Sequence, residues 1–481
     1  MFKNPDEFIK ENKNKLNKEY RLNYHFMGEY GWINDPNGFI YYKGHYHLFY
    51  QHYPYEAKWG PMHWGHAKSK DLIKWDYLPI ALKPDKPYDI DGCFSGSSII
   101  KDDKLYLIYT GHKNLKENFK DYMQVQCIAY SNDGINFYKY NKNPVIKKED
   151  IPEYASKKDF RDPKVFKIGD FYYAIIGSQH NDSGQLLLYK SKDLFNWEFV
   201  NYFLKGDCSF GKCYECPDIF KLGDKYILIF SPQFLKLDYF ETNIHSSVYM
   251  IGDFDIEKGV FIPESYDLID YGFDFYAPQT TDDPQGRRIM IAWLNMWETE
   301  QVTMNLGHNW SGAMTLPRQL VLNNNKIKFK PIESIKKYRR NYFNINSLDL
   351  EGDYILNTFG DSYELKVLFD RKDSLEFGVK LRCGENEETK VHYDTKEREL
   401  VLDRDKSGIG LKGEKKVKYN LINNKLELNI FVDKSSVEVF VDDGNLVLTS
   451  RIYPSKDSKI IKLYSKGMCR ILNLDKWDII T

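Results

Sequence analysis

Apolar residues in this chain come in short runs rather than in the stripes of a helix. From residue 23 to about residue 325, aromatic and β-branched stretches of strand length alternate with Gly, Asp and Asn turns, and helix-length periodicity is scarce. Five stretches share one hairpin pattern of apolar strand, Gly/Asp turn and apolar strand. They are Phe39–Tyr50, Ser98–Tyr109, Lys164–Ile176, Asp218–Phe230 and Gln279–Trp293, the last turning at Gln285-Gly286. Their second strands begin near His45, Lys104, Phe171, Lys225 and Arg288, about 54 to 67 residues apart. Common propeller repeats are shorter, at roughly 40 to 50 residues, but the logic is the same.

A second echo runs with the first. Ser69-Lys-Asp71-Leu72-Ile-Lys-Trp75 recurs as Ser131-Asn-Asp133-Gly-Ile-Asn-Phe137 and as Ser191-Lys-Asp193-Leu194-Phe-Asn-Trp197, each downstream of its hairpin where a blade's outer strands belong. Together the two repeats predict five blades. Beyond a short charged stretch the texture changes. Strands such as Leu426–Val432 and Ser436–Val441 alternate with period two, as antiparallel sheets covering a core on one side do. The chain divides into a polar lead-in (1–22), a five-bladed β-propeller (23–327), a linker (328–340) and a β-sandwich (341–481). The fold class is all-β, and 481 residues are enough for two cores.

Composition narrows the function. A formal net charge of -1 points to neither a nucleic-acid nor a membrane partner. The 16% aromatic content suits strands and surfaces on which sugars stack. Met1–Tyr20 holds no apolar leader core, and seven irregularly spaced cysteines fit a reducing cytoplasm. Cys208, Cys213 and Cys216 lack a fourth ligand nearby for a zinc site, so they read as free thiols with no metal. His45 and His47 read as a packed surface pair.

The candidate chemistry lies just ahead of the hairpins. Asp35 precedes its second strand by ten positions, Asp162 by nine and Glu215 by ten, and the other two repeats hold Phe94-Ser95 and Ala277-Pro278 there. With the first strand innermost, three acids ring one mouth of the channel. Like charges held close drive at least one carboxyl upward in pKa, so an acid and a carboxylate can coexist near neutral pH, as glycoside hydrolysis requires. Arg161 can hold Asp162 ionised and donate to hydroxyls. Trp59, Trp64, Phe94 and Trp293 offer stacking faces, and Gln51 and Asn34 offer donors and acceptors.

At these residues the chain resembles glycoside hydrolase family 32, the invertase-like enzymes. The resemblance is carried in order by Trp32-Ile-Asn-Asp-Pro-Asn-Gly38, Trp64-Gly-His66, Phe94-Ser-Gly-Ser97, Arg161-Asp-Pro163, Glu215-Cys-Pro-Asp218, Phe275-Tyr-Ala-Pro-Gln279, Leu316-Pro-Arg318 and Asp433-Lys-Ser-Ser-Val-Glu-Val-Phe440. Ile33 stands where Met or Leu is commoner. The resemblance implies a propeller plus sandwich and retaining hydrolysis of terminal β-fructofuranosides, without metal or organic cofactor. It implies Asp35 as nucleophile, Glu215 as acid and then base, and Asp162 as transition-state stabiliser. Asn34, Gln51, Trp59, Phe94, Ser95, Arg161 and Trp293 would shape the pocket, with Tyr276 beside them.

Within that family a leaderless chain is most similar to sucrose-6-phosphate hydrolases and intracellular invertases. The expected substrate is sucrose or sucrose 6-phosphate, with Lys58, His63 and Lys113 available to meet a phosphate. An exo-acting fructan hydrolase, a fructosyltransferase and a non-catalytic sugar-binding propeller are the alternatives. The sandwich could serve a homodimer or act as a sugar module.

Overall fold

The computed structural model describes residues 3–116 and 121–481. Its first part is a ring of five antiparallel sheets, each of four consecutive strands apart from short additions. The innermost strands are Gly31–Tyr42, Gly92–Lys101, Phe160–Ile168, Tyr214–Leu222 and Tyr276–Asp282, for blades I to V. Each packs beside the inner strand of the next blade, and the fifth returns to the first, so these five strands line the channel.

The ring closes through a short parallel segment. Trp310-Ser311, from the fifth blade's excursion between its second and third strands, pairs with Gly31-Trp32. Gly312 makes this approach feasible: its φ is +86°, and a Cβ there would come within 2.0 Å of the Ile33 carbonyl. The Ser-x-Asp echo is a turn between third and fourth strands. In blade I, Ser69 Oγ accepts from Leu72 N at 2.8 Å, while Asp71 Oδ1 accepts from Ile73 N and Lys74 N at 3.0 Å each. Ser131/Asp133 and Ser191/Asp193 repeat it, with Leu72, Gly134 and Leu194 all at positive φ.

The lead-in carries a helix, Pro5–Asn12, capped by Asn4. The segment read as a linker over 328–340 is taken up by strands at both ends. Lys326–Pro331 is the outermost strand of blade V, and Arg339–Ile345 already pairs with the C-terminal strand, leaving a 3-10 turn at Glu333–Tyr338 between them. Charged residues hid both strands because each lies at a sheet edge, where polar side chains face water. The C-terminal part is a β-sandwich-like assembly of eleven strands. Its last strand, Ile460–Ile479, is long enough to pair with Glu376–Cys383 along its first half and with Tyr363–Asp370 along its second.

A buried polar chain joins the two parts. His25 Nδ1 lies 2.9 Å from Asp433 Oδ2 and His25 Nε2 2.9 Å from Glu438 Oε1. Glu438 Oε2 accepts from Arg318 Nη2 at 2.7 Å, and Arg318 Nη1 donates to Asp270 Oδ2 at 2.9 Å. The motifs Leu316–Arg318 and Asp433–Phe440 therefore belong to the joint.

Candidate active site

Every inner strand breaks its ladder at the same level. The register slips between Ile33 and Pro36, Phe94 and Gly96, Arg161 and Lys164, Glu215 and Asp218, and Tyr276 and Gln279. These are β-bulges, which bend a strand and re-aim its side chains. Pro163, Pro217 and Pro278 sit inside three of them, where no ladder N–H is missed. Asp162, Cys216 and Ala277, the residues before these prolines, take positive φ of 62°, 46° and 51°. The bulges turn side chains of the inner strands into the channel mouth.

The three acids come from this level but not from equivalent positions. Asp35 is the second residue of its bulge, Asp162 the first of its own, and Glu215 the residue before one. Counting back to the next strand places them in register because it cannot see a stagger of one or two residues. The stagger gives each acid a different neighbourhood around one space.

Asp35 accepts from Ser95 Oγ at 2.7 Å and from Asn34 Nδ2 at 3.0 Å. Asn34 is itself oriented by Trp32 Nε1 at 2.7 Å. Burial pushes the Asp35 carboxyl above its usual range, and the nearby charge of Glu215 adds to that, against the pull of these donors. Asp162 is 6% exposed and accepts from the Cys216 backbone N–H at 3.0 Å. Burial lifts it to about 7, with Glu215 and Asp35 pushing the same way and Arg161 opposing. The Cys216 thiol bridges the pair, its Sγ 3.7 Å from Asp35 Oδ2 and 3.6 Å from Asp162 Oδ2.

Glu215 behaves oppositely. Burial would raise it, but Arg161, His245, Tyr276 and Gln233 together bring it below the usual carboxylate range. Arg161 Nε and Nη2 donate to Glu215 Oε1 at 3.1 and 3.0 Å, and Tyr276 OH donates to Oε2. Arg161 is thus turned to Glu215 and, through Nη1, to Asp159 Oδ1 at 2.8 Å, rather than hydrogen-bonded to its sequence neighbour Asp162.

The surrounding candidates divide. Ser95, Asn34 and Arg161 touch the acids directly. Gln51 lies opposite the Asn34–Asp35 bulge and donates to the Cys93 carbonyl at 3.0 Å. Trp59, 45% exposed, meets Phe94 edge-on at 6.0 Å, and Phe94 stacks flat on His112 at 4.1 Å, forming an aromatic rim. Trp293 corrects the expectation of a sugar-stacking face: it is 0% exposed, wedged against Trp32 and Trp297, and supports the site from beneath. Trp64 is equally buried. Each lies on a strand with sheet or core on both faces, a burial that residue type does not report.

His63 is no phosphate ligand. It is buried, its Nδ1 meets the Pro61 carbonyl at 3.0 Å, and burial pushes its pKa down to about 3, so it stays neutral. Lys58 is exposed and paired with Glu56, while Lys113 lies at the mouth end of the blade II second strand. His47 is not at the surface either: it is buried against His66, Nδ1 to Nε2 at 3.0 Å.

Residues missed in the sequence include two amides at the ends of second strands. Gln179 and Gln233 stand at matching places in blades III and IV, two residues beyond the strand partners of Arg161 and Glu215: Gln179 binds Asp159 at 2.7 Å, and Gln233 helps hold the Glu215 carboxyl down. That repeated amide was legible. Asp159, His245, Glu298 and Trp297 carried no repeat signal, because they come from loops that differ between blades.

Among known proteins, residues 25–331 match the model described as Glycosyl hydrolases family 32 N-terminal domain, and residues 332–478 match Glycosyl hydrolases family 32 C terminal. A sucrose-6-phosphate hydrolase of Zymomonas mobilis is 39% identical over 100% of this chain and 96% of its own length. A raffinose invertase of Escherichia coli is 37% identical over 92% of this chain and 91% of its own. Among solved structures, a Bombyx mori GH32 beta-fructofuranosidase variant in complex with sucrose has a TM-score of 0.88 at 35% identity, covering 99% of this chain and 97% of that one.

Proposed function

This chain belongs to glycosyl hydrolase family 32, and on that premise we propose how its site works. The protein is a glycoside hydrolase that cleaves the terminal β-D-fructofuranoside bond of sucrose or sucrose 6-phosphate and releases fructose. The observation that carries the mechanism is the set of three staggered carboxyls on bulges around one channel mouth, joined through Ser95, Cys216 and Arg161.

In our reading Asp35 attacks the anomeric carbon of the fructosyl unit. The bond to the leaving oxygen breaks as Glu215 gives that oxygen its proton, and a fructosyl ester on Asp35 remains. Water then attacks the same carbon, Glu215 takes its proton, and the Asp35 carboxylate leaves. In the unliganded site Glu215 is ionised. Sugar hydroxyls competing for Arg161, and exclusion of water by the ring, remove what holds it so, and both raise its proton affinity. Asp162, protonated up to about pH 7, offers one donor and one acceptor to ring hydroxyls. Trp59 and Phe94 form the apolar wall, and Lys113 is our choice for a phosphate contact.

We further place the protein in the cytoplasm, where seven unpaired thiols stay reduced. We assign a homodimer contact to the sandwich, where Ile355 and Phe359 stand exposed; sedimentation analysis tests it. The deciding measurement for function is kcat/KM on sucrose, sucrose 6-phosphate and inulin side by side. A clear preference for inulin overturns the substrate assignment, and transfer of fructose to sugar at high sucrose overturns the assignment as a hydrolase.

A further inference from the structure

The loop between the second and third strands of blade IV (Lys225–Pro232 and Val248–Asp255) closes like a hairpin over the acid Glu215. Gln233 pairs with His245 across it, and Phe234 N donates to the Ile244 carbonyl at 2.6 Å. One end of this closure, Gln233, is among the groups that hold the Glu215 carboxyl below its usual range. The other end, His245, is fixed from the neighbouring blade. Glu298, just beyond the blade V second strand Arg288–Trp293, accepts from the His245 backbone N–H at 3.2 Å and lies 2.9 Å from His245 Nδ1 through its second oxygen. The imidazole meets the Tyr276 ring edge-on at 5.4 Å, and Tyr276 donates its hydroxyl to Glu215. Burial and the Glu215 charge keep that phenol protonated, so it can act only as donor.

We propose that the Glu298–His245 pair is a positioning device for the acid: it clamps the loop so that Gln233 and Tyr276 both hold Glu215, and it sets the imidazole beside that carboxyl. The inference deepens the role given to Glu215 and rests on that reading. The pair is not part of any motif that carried the resemblance, and it spans the gap between two blades beside Tyr276, which donates to Glu215.

Among the described residues, other groups also face Glu215. Arg161, backed by Asp159, comes from blade III with Asp162; Asp35 comes from blade I; Cys213 and Cys216 flank Glu215 in its own segment; Tyr276 comes from blade V. Arg161 and His245 are the groups in this set whose charge lowers Glu215. His245 is the member that ties the placement of the loop to the charge beside Glu215.

Charge and shape are separated by two substitutions in the full-length protein. His245→Gln keeps hydrogen-bonding capacity and removes the charge, whereas His245→Lys keeps a cation and loses the ring. The alkaline limb of kcat/KM on sucrose reports loss of the proton from the acid. We expect it to move up by roughly 0.5 to 1 pH unit in His245→Gln and to stay at or below the parental position in His245→Lys. Glu298→Gln, which loosens the clamp, should lower kcat on sucrose several-fold more than on a fructoside whose leaving group needs no proton. An unmoved limb in His245→Gln, the same limb in both His245 variants, or equal losses on both substrates for Glu298→Gln overturns the proposal. Glu215→Gln is run alongside. If it loses equally on both substrates, the acid role itself falls; if it shows the split and the His245 variants do not sort by charge, only this inference falls.

Discussion

Arg161 and Glu215 occupy the same position in neighbouring blades, the residue immediately before the bulge, and they bond one another across the gap at 3.1 and 3.0 Å. One repeat unit has supplied a cation where the next supplies the acid. This places the guanidinium on Glu215 and leaves Asp162 to the Cys216 N–H and to burial, which lifts its carboxyl to about 7.

Asp35→Asn is expected to reduce kcat on sucrose by at least roughly a thousandfold while leaving the far-ultraviolet spectrum and melting cooperativity intact, because Asn keeps the Ser95 and Asn34 contacts but is not a nucleophile. Near-normal sucrose cleavage by a purified, sequence-verified sample refutes the covalent mechanism.

Glu215→Gln should lose roughly 10²- to 10⁴-fold in kcat/KM on sucrose, and much less on a fructoside with an acidic leaving group, since only the first needs protonation at departure. Both rates are taken from initial velocities over the same pH range.

Asp162→Asn tests the electrostatic cost of the site. The Asp162 pKa is raised from the ordinary 3.8 to about 7, so the folded protein binds more protons than the unfolded chain across that window. Its contribution is fully present below pH 4 and is lost as pH rises through 7, a penalty of up to about 4 kcal/mol. The amide removes it while still accepting from Cys216 N–H. The variant should therefore melt at a higher temperature than the parent at pH 8, though it turns over far more slowly. A variant that melts lower at pH 8 contradicts the assignment.

The joint between propeller and sandwich gives a different pH dependence. Burial alone would push His25 down, but its hydrogen bonds to Asp433 and Glu438 outweigh this and lift it to about 9. A raised histidine stabilises fully below its unfolded value of 6.5 and loses that contribution as pH climbs through 9, up to about 3 kcal/mol. Melting temperature should fall between pH 7 and 9.5, and His25→Gln should flatten that slope. Melting curves of parent and variant across this range decide it.

Period-two runs, turn residues at fixed offsets and a repeat near sixty residues were enough to determine five blades and a following sheet, because strand pairing and turn chemistry are local and leave local marks. The same repeat brought Asp35, Asp162 and Glu215 to one mouth. Sequence spacing did not resolve the stagger, since a bulge inserts a residue into one strand without changing the composition around it. Nor could it separate Trp59, which stands at the rim, from Trp293, which lies beneath it, because burial depends on what the next blade packs against each face. Only the tertiary structure decided which partner Arg161 takes, since Asp162 is adjacent in the chain while Glu215 is 54 residues away and adjacent in space. Electrostatics follows distance through the folded protein, and the positions of His245 and Glu298 beside the acid are set by that folding alone.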